Sequence, residues 1–178
     1  MLKLVDNFEQ KTLDKIERLY LKAFPKEERK PFLLMVKKVE EKTMSIFAIV
    51  DGDEFIGEVI LVHYKDIVLL DYFAIEENHR GKGYGSKTLN LLFEMFSGKK
   101  ILLEIETTLK PSVDIETKKR RKNFYLNAGF KPMDYFVSLF GVEMEILTIG
   151  GVVSFEEYHQ IFIEIFGKRV YDNVNLIK

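Results

Sequence analysis

Residues 69–96 read LLDYFAI, EENHR, GKGYGS and KTLNLLFEMF in succession, and the fold is decided in this stretch. Leu69 to Ile75 is an apolar run rich in aromatic and branched residues, which suits a buried strand. A glycine-dense turn follows. Lys87 to Phe96 then has neither glycine nor proline and carries leucines throughout, which suits a buried helix. Strand, glycine turn and helix together make a phosphate-binding arrangement. The turn lets backbone come close, and the helix start offers unpaired N–H groups to an anion.

Spacing inside the turn narrows the choice. A P-loop needs G-x-x-x-x-G-K-[ST], but Ser86 separates Gly85 from Lys87. A dinucleotide fingerprint needs G-x-G-x-x-G directly after a strand. Gly81-x-Gly83-x-x-Ser86 lacks the third glycine, and EENHR intervenes. Glu104 or Glu106 nevertheless lies near the ~20-residue offset at which that motif wants an acid. A nucleotide-dependent oxidoreductase therefore stays open as a rival.

Two groups of residues point elsewhere. Arg80, Gly83 and Gly85 give R-x-x-G-x-G, and Phe124-Tyr125 with Gly129-Phe130 gives F-Y-x-x-x-G-F. Together they resemble the two signatures of the GNAT N-acetyltransferases, over roughly Leu2 to Ile149. The resemblance implies a mixed α/β sheet of the acyl-CoA N-acyltransferase fold, with an extra C-terminal helix. It implies acetyl-CoA as co-substrate, no metal, and transfer to a primary amine of a small molecule or peptide. The diphosphate would lie on Arg80, Gly81, Lys82, Gly83, Tyr84, Gly85 and Ser86. Pantetheine would lie between the Leu69 and Ile101 strands, on backbone at Phe73, Ala74 and Ile75.

The resemblance implies that Tyr125 protonates the departing thiolate, and a phenol with a pKa near 10, which stays protonated at neutral pH, suits that role. Asp71 shares a strand face with Phe73 and Ile75 by the period-two rule, and the resemblance puts Glu104 on the partner strand. Either carboxylate is a candidate base. Lys118 and Arg121 stand where the family often has asparagine and alanine, so Asn123 is the candidate to take over a cofactor hydrogen bond. A non-catalytic acyl-CoA-binding module of the same fold is the second rival.

The bulk numbers agree with one soluble domain: 178 residues, 47% hydrophobic, 31% charged, formal net charge −1. That balance provides no overall basic field for nucleic acid. The absence of cysteine removes disulfides, thiolate metal sites and a cysteine nucleophile together. The histidines His63, His79 and His159 are scattered, with no metal spacing, and His79 is expected on an exposed loop. MLKLVDNFEQ turns polar quickly, so no signal peptide is expected, and no apolar run has the ~18 residues of a membrane helix. The expected location is cytoplasmic, without membrane or nucleic-acid partners.

The remaining elements follow in chain order. Leu2 to Val5 is a short strand. A helix follows, opened by Asp6/Glu9 or Asn7/Gln10 as a capping box and ended by Pro25. PKEERK is a charged connector, either solvated or gripping a cationic amine through Glu27 and Glu28. A second helix from Pro31 turns Phe32, Met35, Val36 and Val39 inward. Met44–Val50, Phe55–Tyr64 and the Leu69 strand form a meander, with Asp51-Gly52-Asp53 as one turn and Gly57 either a bulge or a close-approach point. After the central helix come a strand at Ile101–Ile105 and a helix at Ile115–Asn127 carrying KKRRK, read as a solvated face. Tyr135–Phe140 and Val142–Ile149 pair about Gly141, and Ser154-x-x-Glu157 caps a last helix. Residues 1–150 are expected to be the transferase domain and 151–178 a helical extension packed on it, which caps the sheet or joins a homodimer.

Overall fold

A computed structural model of the chain describes residues 1–6 and 9–177, and its strands follow the hydrophobic pattern of the sequence. Contacts divide these residues into two units, Met1–Lys65 with Leu69–Ser97, and Asp66–Val68 with Gly98–Lys178.

The first unit holds β1 (Leu2–Val5), α1 (Gln10–Ala23), α2 (Phe32–Glu40), β2 (Met44–Asp51), β3 (Glu54–Tyr64), most of β4 (Ile67–Ile75) and α3 (Tyr84–Met95). Its strand order is β1-β2-β3-β4. The pairs β1/β2 and β2/β3 are antiparallel, and Asp51 faces Glu54 across the Gly52-Asp53 turn. A register shift at Ile49/Val50 sets Ile49 opposite Gly57 and Val50 opposite Phe55. Gly57 is required there, because a Cβ would lie 2.2 Å from the Ala74 carbonyl oxygen on β4. α1 packs on β3, α2 on β2 and α3 on β1.

Short 3₁₀ turns occupy Lys26–Glu28 and Glu77–His79. Glu9 is the N-cap of α1 and its side chain makes no cap bond, so the Asp6/Glu9 box does not form; the Asn7/Gln10 alternative lies outside the described residues. On α2, Phe32 and Met35 are buried as expected, but Val39 is exposed because it falls in the last turn.

The second unit holds β5 (Lys100–Glu106), α4 (Ile115–Asn127), β6 (Lys131–Leu139), β7 (Val142–Ile149), α5 (Phe155–Phe166), α6 (Lys168–Tyr171) and β8 (Val174–Ile177). Its strand order is β5-β7-β6-β8, antiparallel throughout. β6 starts four residues before the expected Tyr135, through an irregular register between Pro132 and Phe136 that accommodates the proline. The extension is more than the expected helix, since α6 and β8 follow α5. The predicted capping box of α5 is complete: the Glu157 N–H donates to Ser154 Oγ at 3.2 Å, and the Ser154 N–H donates to Glu157 Oε2 at 2.9 Å. Tyr158, Ile161, Phe162 and Ile165 bury the inner face of α5.

Candidate functional site

In the first unit the glycine turn builds an open donor array. Gly83 is the N-cap of α3 at φ 79°, and Gly81 sits at φ 73°. That left-handed backbone is where glycine costs least, and no atom of the described residues lies within 4 Å of where a Cβ would stand at either position. No side chain caps α3 and no acidic residue occupies its first turn. The first-turn N–H groups of Tyr84, Gly85 and Ser86 therefore have no side-chain competitor for an anion. The helix dipole adds only about 0.3 to 1 kcal/mol at such exposure, so the donors must dominate.

Neighbouring side chains set the turn. Arg80 Nε donates to the Ile75 carbonyl at 3.0 Å, tying the turn to the end of β4, and Lys82 is exposed beside it. Tyr84 donates its hydroxyl proton to Asp51 at 3.1 Å, and that bond holds the phenol above its ordinary range. His79 is buried rather than exposed, because its ring meets the Tyr84 edge at 5.8 Å and lies 3.4 Å from Glu54.

β4 alternates as the period-two rule requires. Leu70, Tyr72 and Ala74 are buried, while Asp71, Phe73 and Ile75 are half-buried. Asp71 is not a free base here: Lys30 Nζ donates to its two carboxylate oxygens at 2.8 and 2.9 Å. Lys30 belongs to the PKEERK connector and carried no signal in the sequence, since nothing local relates it to a strand 41 residues on.

β3 holds a second residue that the sequence reading passed over. Glu58 is fully buried, and neither carboxylate oxygen has a hydrogen-bond partner among the described residues. Burial, aided by the Glu76 charge, pushes its pKa up to about 9, so it is a neutral acid at pH 7. A lone acid inside the apolar run FIGEVILV was the available signal.

An open cleft of about 750 Å³ also lies in this unit, where Lys15, Arg18 and Lys22 of α1 meet Asp53, Glu54, Glu76 and Glu77. Its charges largely answer one another, as in the 3.2 Å pair Lys22–Glu77.

In the second unit, Tyr125 occupies the last turn of α4. Its ring meets Phe124 and Phe130 edge-on at 5.0 and 5.7 Å, and the Phe130 N–H returns to the Tyr125 carbonyl at 3.1 Å. Thus the F-Y-x-x-x-G-F spacing is a helix end folded back on its own tyrosine. Desolvation of the half-buried ring pushes the phenol up to about 12, with the Arg121 charge opposing. The phenol therefore stays protonated at neutral pH. Glu104 accepts from the Tyr158 hydroxyl of α5 at 2.5 Å, so the second candidate base is tied to the extension. Asn123 is exposed.

KKRRK is only partly a solvated face. Lys118 pairs with Glu106 and with Asp114, and Lys122 pairs with Glu145 at 2.5 Å, which fastens α4 to the strands. Arg120 and Arg121 stay exposed.

Among the described residues no group of three or more His, Asp or Glu side chains could hold a metal, and no helix is long and apolar enough to cross a membrane.

The family model described as the acetyltransferase (GNAT) domain matches residues 42–132, a span containing both the glycine turn and Tyr125. A solved protein from Bacteroides thetaiotaomicron assigned to the GNAT family superposes at TM-score 0.75 with 22% identity, covering 94% of this chain and 99% of that one. A chimera of Vibrio cholerae spermidine N-acetyltransferase gives 0.65 with 20% identity, over 83% and 94% of the two chains. An aminoglycoside 6'-N-acetyltransferase complexed with coenzyme A gives 0.66 with 17% identity, over 84% and 96%. These likenesses establish the fold, which is mixed α/β. No curated protein sequence matches the chain.

Proposed function

The chain belongs to the GNAT acetyltransferase family, and we propose that it moves the acetyl group of acetyl-CoA directly onto a primary amine of a small molecule or peptide, with Tyr125 as general acid. The observation that carries this reading is the uncapped first turn of α3, with glycines at positive φ and open space around them. A diphosphate needs such converging N–H donors, and coenzyme A carries one. Arg80 and Lys82 add positive charge beside them.

Bound acetyl-CoA supplies an activated acyl carbon and a sulfur leaving group; the chain supplies position and protons. Extended backbone at Phe73, Ala74 and Ile75 would hold pantetheine, and an N–H there would meet the carbonyl oxygen as it gains charge. With no cysteine in the chain, no acyl-cysteine intermediate forms, and direct attack is the simplest course. The amine nitrogen forms the new C–N bond, the C–S bond breaks, and the thiolate takes the Tyr125 proton. The proton lost by the amine goes to Asp71 or Glu104, directly or through water. Asn123 would contribute a cofactor hydrogen bond. Residues 1–150 form the transferase domain in this reading, and 151–178 pack on it. The spermidine and aminoglycoside acetyltransferases among the structural neighbours support an amine acceptor.

The test is thiol release from acetyl-CoA across an amine panel, with wild type beside Tyr125→Phe. A positioned acid is worth about 10²- to 10⁴-fold, so kcat should fall by that much while coenzyme A still binds by calorimetry. Equal rates in the two proteins would remove Tyr125 from the chemistry.

A further inference from the structure

The bond between α5 and Glu104 is more than a way to satisfy a buried hydroxyl. Tyr158 is fully buried, and its hydroxyl donates to Glu104 Oε1 of β5 at 2.5 Å, the short end of the range for a phenol on a carboxylate. A buried phenol needs an acceptor, and a main-chain carbonyl is enough. The Tyr135 hydroxyl has that arrangement, donating to the Val153 carbonyl at 3.1 Å. Tyr158 is turned instead to a titratable side chain that is only half-buried.

The helix carrying that phenol is fastened to the same strand at a second point. Glu157 closes the capping box with Ser154 and also receives Lys100 Nζ of β5 at 3.1 Å. Those bonds, the Ser154 N–H first and then the ammonium, hold the Glu157 carboxyl below its ordinary range. Successive residues of α5 thus grip β5 at Lys100 and Glu104, which share a strand face by the period-two rule. Ile161, Phe162 and Ile165 bury the rest of the helix. A phenol mounted this firmly fixes the carboxylate it binds, and a donor on a carboxylate favours the ionised form, which is the form that accepts a proton. The other charged or titratable groups on this side are Lys100 and Glu106 of β5, Glu157 of α5 and Tyr135 of β6, while β7 sets Ile146 opposite Glu104. Burial, with the charges of Glu157, Asp134 and Glu104 adding, holds the Tyr135 phenol above its ordinary range, so it stays neutral beside the carboxylate.

We propose that Tyr158 is a positioning residue for Glu104 as the proton acceptor of the transfer, which makes the C-terminal extension part of the catalytic apparatus. This rests on the acetyl-transfer reading, which supplies the reaction. As the amine nitrogen bonds the acetyl carbon and the C–S bond breaks, Glu104 takes the proton lost by the amine, and Tyr158 keeps its own. The proton passes from Glu104 to water when the product leaves. Tyr158 touches neither amine nor thioester and acts only through the carboxylate it holds.

The test is the pH profile of kcat for thiol release in wild type, Tyr158→Phe and Glu104→Gln, at saturating amine. Tyr158→Phe removes one hydroxyl and keeps the ring. It should lower kcat about tenfold, leave the KM for acetyl-CoA unchanged and move the acidic limb of the profile up by about one to two pH units. Glu104→Gln should abolish that limb. A residue that merely packs the extension onto the sheet would leave the limb in place, so an unmoved limb in Tyr158→Phe overturns the proposal, as does a limb that survives Glu104→Gln. Should Tyr158→Phe not fold, 3-fluorotyrosine at position 158 serves instead. Its more acidic phenol donates more strongly, so the limb should move to lower pH, and a limb that stays put overturns the proposal. A wild type that releases no thiol with any amine sinks acetyl transfer and this proposal with it, whereas an active wild type with an unmoved limb in the variant sinks the proposal alone.

Discussion

Replacing Glu58 by glutamine should change how stability depends on pH, and the size follows from its burial. The folded-state pKa is about 9 against an ordinary value of 4.5, because the carboxyl is buried without a partner among the described residues and Glu76 adds like charge. A raised pKa means that the folded chain keeps a proton which the unfolded chain releases. Stability from this group is fully present below pH 4.5 and is lost as pH climbs toward 9. Each pH unit in that window removes about 1.4 kcal/mol, so the loss by pH 7 is on the order of 3 kcal/mol. Against a typical total of about 5 to 15 kcal/mol, that is readily measured. Urea denaturation of wild type and Glu58→Gln at pH 5, 6, 7 and 8 reads it directly. The difference between the two proteins should move by about 4 kcal/mol across that range in favour of the variant. Other titrating groups cancel in the difference. Parallel curves, or a variant losing ground as pH rises, would refute the burial argument.

The remaining predictions concern the glycines and the phenol. Gly57→Ala puts a methyl 2.2 Å from the Ala74 carbonyl oxygen, so β4 must shift, and the thermal midpoint should drop by an amount matching about 3 kcal/mol or more. Gly83→Ala forces a Cβ into the left-handed region at φ 79°, at a cost of roughly 1–2 kcal/mol. Calorimetry should show coenzyme A binding weakened about tenfold while the far-ultraviolet spectrum is unchanged. Because burial raises Tyr125 to about 12, kcat should show no decline from loss of the acid below pH 10, measured as a pH–rate profile of thiol release.

Local chemistry was legible where it is self-contained. α4 begins at Ile115 and ends at Asn127 as expected, because Gly129 and Pro132 stop it from within the sequence. The Ser154/Glu157 box closes α5 at its start for the same reason. The glycine turn was legible because positive φ at Gly81 and Gly83 leaves a compositional mark. What depends on distant partners was not legible. His79 is buried by Tyr84 and Glu54, Lys30 reaches Asp71, and Tyr158 takes Glu104; none of these pairs is adjacent in sequence. β8 escaped notice because VNLI is four residues long and becomes a strand only by adding to β6. The two candidate bases were rightly placed on strands, yet each carboxylate is already engaged, a fact that only packing reveals.

That closing strand has a consequence for how copies of the protein meet. Without it, β6 would end its sheet as a nine-residue rim of unpaired amides, long enough to template another chain. Val174–Ile177 covers the far half of that rim and leaves a four-residue border interrupted by Asn175. A border so short gives a neighbour few rungs to zip onto.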